Sequence, residues 1–182
     1  ITPIICIGEK IRDEGGLFLR TIESEVREIF AGLSKRDVEK MFVILPFEKE
    51  FYKKHNYEVE FVGHPLLDAI KNFSDENNFR TENNFDTKLI VALLPGSRAQ
   101  EIKKMLQPMK EVAKYFPSHQ FVVAGVNSVP KNIYEEELRG TNLKVIFNQT
   151  YSLLKNSAAA IVTSGTATLE TALFNVPQVV CY

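Results

Sequence analysis

The sequence predicts an α/β fold, a parallel β-sheet with helices packed on both of its faces. Short apolar runs rich in Val, Ile and Phe recur along the 182 residues, and amphipathic stretches separate them. The runs are near-continuous rather than alternating, the pattern of strands that are covered on both sides.

Taken in order, Pro3–Ile7 reads as a strand, and Leu17–Ala31 follows as a charged helix that stops at Gly32. Met41–Leu45 is the next strand, with a helix over Glu48–Lys54, then a strand at Val59–Val62 and a helix over Pro65–Lys71. Leu89–Leu94 reads as a buried strand, and Ala99–Tyr115 as a long helix. Strand and helix then alternate at Phe121–Ala124, Asn132–Arg139, Lys144–Phe147, Tyr151–Lys155, Ala159–Thr163 and Thr166–Phe174, before a last strand at Gln178–Cys181. The arrangement expected is Rossmann-like.

One segment breaks the rhythm. Lys71–Lys88 is polar and Asn-rich, and carries Phe73, Phe79 and Phe85 at intervals of six. Six fits neither the helical nor the strand period, so the segment reads as a linker, either a hinge between lobes or a plain surface excursion. The chain also opens at Ile1-Thr2-Pro3 in one strand-like run and stops at Tyr182 in another, which suggests a fragment.

Composition narrows the function. Net charge is −1, so no basic field exists to hold nucleic acid. An anionic ligand must therefore be held by a local site. Cys6 and Cys181 lie in apolar runs and read as buried strand residues. The three histidines are isolated, with no metal-ligand spacing among them, so no metal and no other cofactor is expected. With no apolar run of 18 residues and no basic-then-apolar leader, the chain reads as cytoplasmic.

The chemistry lies at two strand–glycine–helix junctions. In Leu94-Pro95-Gly96-Ser97-Arg98 a strand ends and a helix begins. Ser97 is the expected N-cap, and Gln100 the residue that closes a capping box. Backbone N–H groups at such a junction face outward at the positive end of the helix dipole, where a phosphate can sit. Gly96 permits close approach, and Arg98 offers a fork matched to phosphate oxygens. The alternative is an ordinary turn with a surface arginine.

The second junction is Thr163-Ser164-Gly165-Thr166-Ala167-Thr168-Leu169-Glu170. Its hydroxyls suit a diphosphate without adding charge. Glu170 falls one turn after Thr166, where its carboxylate can accept from a ribose diol. The alternative is that Ser and Thr merely cap the helix. In a parallel sheet both junctions open at the C-terminal edge of the strands, which makes one shared crevice the expectation. Asn127 and Asn148-Gln149-Thr150 follow strands on that same edge and read equally as caps or ligands. His64 reads as a cap or packing residue, and Lys103 and Lys104 as solvated charges.

These residues resemble a family. LPFEKEFYKKH with Phe47-Glu48 and Phe51-Tyr52, then Phe61-Val62-Gly63-His64-Pro65-Leu66-Leu67-Asp68, then LLPGSRAQEI ending at Ile102, then TSGTATLETAL and PQVVCY look like lipid-A-disaccharide synthase, in that family's order over residues 37 to 182. The resemblance implies a two-lobed GT-B glycosyltransferase whose C-terminal lobe binds UDP-2,3-diacylglucosamine. It implies transfer of that sugar, with inversion and without metal, to 2,3-diacylglucosamine 1-phosphate, a step of lipid A biosynthesis that leaves room for peripheral contact with the inner membrane. By the same resemblance Ser97 and Arg98 hold the diphosphate, Asn127 lies near the nucleotide, and Glu170 binds ribose; Gly96, Ser164, Gly165 and Thr166, read from the two junctions themselves, complete the expected UDP-sugar site. The family's N-terminal lobe, with its acceptor site and proposed catalytic aspartate, has no counterpart here, so the catalytic residues stay unassigned. A tryptophan-bearing segment expected just before residue 37 is also missing, since the chain contains no Trp.

Residues 1–36 resemble a different family. Thr2-Pro3-Ile4-Ile5-Cys6-Ile7-Gly8-Glu9 and the charged stretch ending Ala31-Gly32-Leu33-Ser34 look like a strand–helix unit of triosephosphate isomerase, without that family's catalytic residues. The organisation expected is thus a βα unit over 1–36, a remnant of an N-terminal lobe plus linker over 37–88, and a UDP-sugar-binding lobe over 89–182. The competing readings are a non-catalytic nucleotide-binding module and an inactive composite fragment.

Overall fold

The computed structural model describes residues 3–7, 18–21, 40–74, 78–163 and 165–182, with side chains from residue 40 onward. The chain falls into two compact units, Ile1–Ala69 and Ile70–Tyr182. Every expected strand has a counterpart.

In the first unit, β1 (Pro3–Ile7), β2 (Phe18–Thr21), β3 (Lys40–Val43) and β4 (Glu60–Phe61) form a sheet in the order β2-β1-β3-β4. This sheet is mixed. β1 runs antiparallel to both β2 and β3, and only β3 and β4 are parallel. A helix was expected over Leu17–Ala31, but Phe18–Thr21 is a strand, with Phe18 opposite Cys6; the rest of that stretch lies outside the described residues. Pairing with β1 gives the Phe-Leu-Arg-Thr run a ladder that local charge pattern does not reveal.

The helices of this unit are α1 (Pro46–Lys54) and α2, Pro65–Lys71, which runs across the divide. Met41, Val43, Ile44, Tyr52 and Val59 make its core. Glu48 is buried among them because its Oε2 accepts the amide hydrogens of Ile44 at 3.2 Å and Leu45 at 2.8 Å, closing the start of α1.

The second unit carries the predicted architecture. β5 (Leu89–Leu94), β6 (His119–Gly125), β7 (Lys144–Phe147), β8 (Ser157–Thr163) and β9 (Gln178–Cys181) form an all-parallel sheet in the order β7-β6-β5-β8-β9. Its first strand is central. The chain steps outward to β7, then returns to lay β8 on the other side of β5.

Helices cover both faces. α4 (Ala99–Lys114) and α5 (Lys131–Leu138) pack on one face, where Ile102, Met105, Leu106, Met109, Tyr134 and Leu138 meet Leu93, Phe121 and Val123. The four buried α4 residues recur at the spacing of one helical face, and Pro108 stands on the exposed side. On the other face, α6 (Thr150–Lys155), α7 (Thr166–Leu173) and α3 (Phe79–Glu82) surround Ile90, Ala92, Leu94, Val122, Ala160 and Val162.

α3 belongs to the segment expected to be a mobile linker. Phe79 and Phe85 are instead buried in the core, their rings 5.4 Å apart. Phe73 packs edge-on against Tyr151 and Phe174. Polar ties add to this: Asn83 Nδ2 donates to Gln149 Oε1 at 2.8 Å, and Lys144 Nζ donates to the carbonyl of Asn84 at 2.7 Å. The six-residue interval of phenylalanines thus marks successive anchors, Phe73 on Tyr151 and Phe174, and Phe79 and Phe85 in the core. Burying one phenylalanine is worth about 1.5–3 kcal/mol, enough to hold a polar segment down.

β9 departs from its expected burial. It is an edge strand with Val179 63% exposed, and the free thiol of Cys181 is only half-buried.

Candidate functional site

The strand order decides where a ligand belongs. β5 leads to a helix on one face and its neighbour β8 to a helix on the other, so the chain diverges between them. That divergence is the switch point, and α/β sheets bind ligands outside the carboxyl ends of the strands there. Leu94 is registered opposite Val162, so Pro95–Arg98 after β5 and Gly165 after β8 lie on one edge of the sheet. Asn127 follows β6 and Asn148 follows β7 on the same edge.

The β5–α4 turn has a different internal geometry from the one expected. Arg98, not Ser97, is the N-cap of α4, and Glu101, not Gln100, closes the box. Glu101 Oε2 accepts the amide hydrogens of Ser97 at 3.0 Å and Arg98 at 3.2 Å, and Oε1 accepts from the Arg98 guanidinium at 2.9 Å. A carboxylate satisfies more orphan donors at a helix start than an amide can, which is why the box slips by one residue. Burial pushes the Glu101 pKa up, but the Ser97 amide together with the Arg98 side chain and amide outweighs it and holds the group below its usual value. Gly96 sits at φ 113°, and a Cβ there would lie 2.6 Å from Glu101 Oε2. The donors expected to grip a phosphate are thus held by an internal carboxylate. Ser97 and Arg98 remain exposed to solvent.

At the β8–α7 turn Gly165 is the N-cap, with φ 152° and ψ −162°. Thr168 donates its hydroxyl to the Gly165 carbonyl at 2.7 Å, a helix-internal bond that removes it from the ligand set. Thr166 is exposed, and Ser164 lies outside the described residues. Thr163 Oγ1 is buried with no hydrogen-bond partner among the described residues.

Glu170 sits one turn into α7, where burial raises its pKa and a hydrogen bond from Tyr151 opposes that. The Tyr151 hydroxyl donates to Glu170 Oε1 at 3.1 Å. Burial, then the Glu170 charge and the bond to it, push the Tyr151 phenol up to about 12, so the proton stays on tyrosine.

The flanking turns are braced from below. Tyr134, fully buried, accepts the Val126 amide hydrogen at 3.0 Å and so holds the turn that presents exposed Asn127. Asn148 adopts φ 59°, and Gln149 is engaged by Asn83. In the other unit His64 caps α2, its Nδ1 accepting from the Leu66 amide at 3.2 Å, while Lys103 and Lys104 stand exposed on α4.

Two residues of consequence, Glu101 and Tyr151, escape the sequence reading. Glu101 had a signal, since an acidic residue in the first turn of a helix is a stronger cap than the adjacent glutamine. Tyr151 had none, because only the fold brings it to Glu170, 19 positions away. A cavity of about 470 Å³ opens at the opposite end of the sheet, lined by Lys88, Lys114, His119 and Gln120, and touches none of the residues singled out above.

Residues 33–182 match the family model described as lipid-A-disaccharide synthetase. The chain belongs to the lipid-A-disaccharide synthetase family. It is 36% identical over 154 residues to the lipid-A-disaccharide synthase of Syntrophus aciditrophicus, covering 80% of this chain and 40% of that protein. To the enzyme of the same name from Wigglesworthia glossinidia brevipalpis it is 39% identical over 157 residues, covering 81% and 41%. The chain therefore spans about 40% of the length of the curated synthases it matches. Among solved structures, an S. aureus TarM mutant in complex with fondaparinux, alpha-GlcNAc-glycerol and UDP is similar at a TM-score of 0.47 and 14% identity, over 97% of this chain and 35% of that one.

Proposed function

We propose that the Ile70–Tyr182 unit is the UDP-sugar-binding part of a lipid-A-disaccharide synthase. The reaction it serves is inverting transfer from UDP-2,3-diacylglucosamine to 2,3-diacylglucosamine 1-phosphate, in the cytoplasm at the periphery of the inner membrane. The observation that carries this reading is the pair of glycine turns at the switch point, after adjacent strands β5 and β8, in a chain of this family. The Ser97 and Arg98 amides and the Arg98 guanidinium stabilise charge that builds on the departing diphosphate, once Glu101 yields them. Gly165 and Thr166 approach the diphosphate from the other turn, Asn127 flanks the nucleotide, and Glu170 accepts from the ribose diol.

Inverting transfer also needs a base for the acceptor hydroxyl, and no residue of this chain is assigned that role. The 182-residue chain is expected to bind UDP weakly and to turn over nothing. Calorimetry with UDP, ADP and inorganic phosphate tests the reading. Clear preference for UDP, weakened by Glu170→Ala, supports it; equal affinity of wild type and variant for UDP removes Glu170 from the site.

One observation favours a second reading, an α/β module without a diphosphate site. Glu101 already satisfies the Ser97 and Arg98 donors. No heat with either diphosphate would decide for it.

A further inference from the structure

We infer that Tyr151 is a positioning residue for the nucleotide's sugar, fixing the Glu170 carboxylate so that one oxygen is left for a vicinal diol. The inference rests on the proposed donor site and adds a residue to it.

Two segments converge to hold the Tyr151 ring. Phe73, from the segment before α3, meets it edge-on with centroids 5.5 Å apart and planes at 87°. Phe174, at the end of α7, lies 5.2 Å away at 51°, and the two phenylalanines touch each other at 5.9 Å. Such aromatic contacts are worth more than their area alone and leave a ring few orientations. The hydroxyl at its tip is therefore delivered to one place.

That place is Glu170 Oε1. A glutamate with one oxygen tied and the other accepting from no described residue is a directed acceptor. A vicinal diol, with two donors on neighbouring carbons, is the ligand group that a half-buried carboxylate of this kind recognises. Tyr151 stands in the first turn of α6, just beyond the end of β7, and Glu170 in the second turn of α7, just beyond the end of β8. Both therefore belong to the strand edge that carries the switch point. The phenol also works on charge, since its hydrogen bond favours the ionised carboxylate against the burial that opposes it.

The test compares UDP with 2′-deoxy-UDP, which lacks one of the two donors, on the 182-residue chain. Wild type, Tyr151→Phe and Glu170→Ala are titrated by calorimetry, and denaturation of each confirms that it is folded. Tyr151→Phe keeps the ring and its packing. The expected result is a roughly three- to tenfold loss of UDP affinity in Tyr151→Phe, the net worth of one hydrogen bond, with a clearly smaller loss for 2′-deoxy-UDP, which keeps only one donor. The UDP preference then shrinks, as it does more completely in Glu170→Ala. Equal losses for both ligands in Tyr151→Phe indicate a purely structural tyrosine and overturn the inference, and so does an unchanged preference. If Glu170→Ala keeps the wild-type preference, the ribose role of Glu170 itself falls, and the positioning role with it.

Discussion

Replacing Gly96 by alanine strikes the β5–α4 turn through two routes. The backbone stands at φ 113°, a region that residues with a Cβ rarely occupy, and holding alanine there costs about 1–3 kcal/mol. The new Cβ would also lie 2.6 Å from Glu101 Oε2 and 2.9 Å from Glu101 Cβ, inside any tolerable contact. The carboxylate must retreat, giving up the Ser97 and Arg98 amides, and the loss of a helix cap costs about 1 kcal/mol. Together the two routes destabilise the unit by roughly 2–4 kcal/mol. Urea denaturation of wild type, Gly96→Ala, Glu101→Ala and the double variant separates them. If the clash acts through Glu101, the double variant loses less than the sum of the single ones, by more than the ~0.5 kcal/mol within which independent sites add. Strict additivity, or a Gly96→Ala cost under about 1 kcal/mol, refutes the reasoning.

Three further outcomes are expected. Glu101→Gln removes a negative charge from the donors at the start of α4, so UDP affinity should rise about two- to fivefold in calorimetry, the worth of an exposed ion pair; a fall would mean that Glu101 assists the ligand. Glu170 has a folded pKa raised by burial, so its stability contribution is present below the ordinary carboxylate value of 4.5 and is lost as pH rises through the folded pKa. Stability measured across that window should therefore decline with pH in wild type and less so in Glu170→Gln; identical slopes would contradict the burial of Glu170. Phe79→Ala should destabilise the Ile70–Tyr182 unit by about 3–5 kcal/mol in urea denaturation, whereas a loosely attached linker would tolerate it at almost no cost.

The positions that could be read locally were those whose cause is local. Leu89–Leu94 is a strand because six apolar residues stop at Pro95 and Gly96, and the structure ends β5 there. Ala99–Lys114 is a helix because Ile102, Met105, Leu106 and Met109 share one face. The charged stretch after Leu17 misled because β2 takes its stability from pairing with β1, a contact that no local pattern displays. The Phe73, Phe79 and Phe85 interval misled for a related reason: it follows from where Phe79 and Phe85 join the core and Phe73 meets Tyr151 and Phe174, not from the period of the segment itself.

By itself, then, the sequence determined the α/β class, the two glycine turns and the family. Each of these depends on residues adjacent in the chain, where side-chain type dictates backbone conformation directly. Only the tertiary structure decided that β8 returns to the flank of β5 and so brings Gly96 and Gly165 to one edge. It alone decided that Glu101 accepts the Ser97 amide hydrogen, and that Tyr151 reaches Glu170. Those outcomes rest on competition among donors and acceptors that meet after the chain has crossed the sheet, and the energy of such a meeting is written in no single stretch of residues.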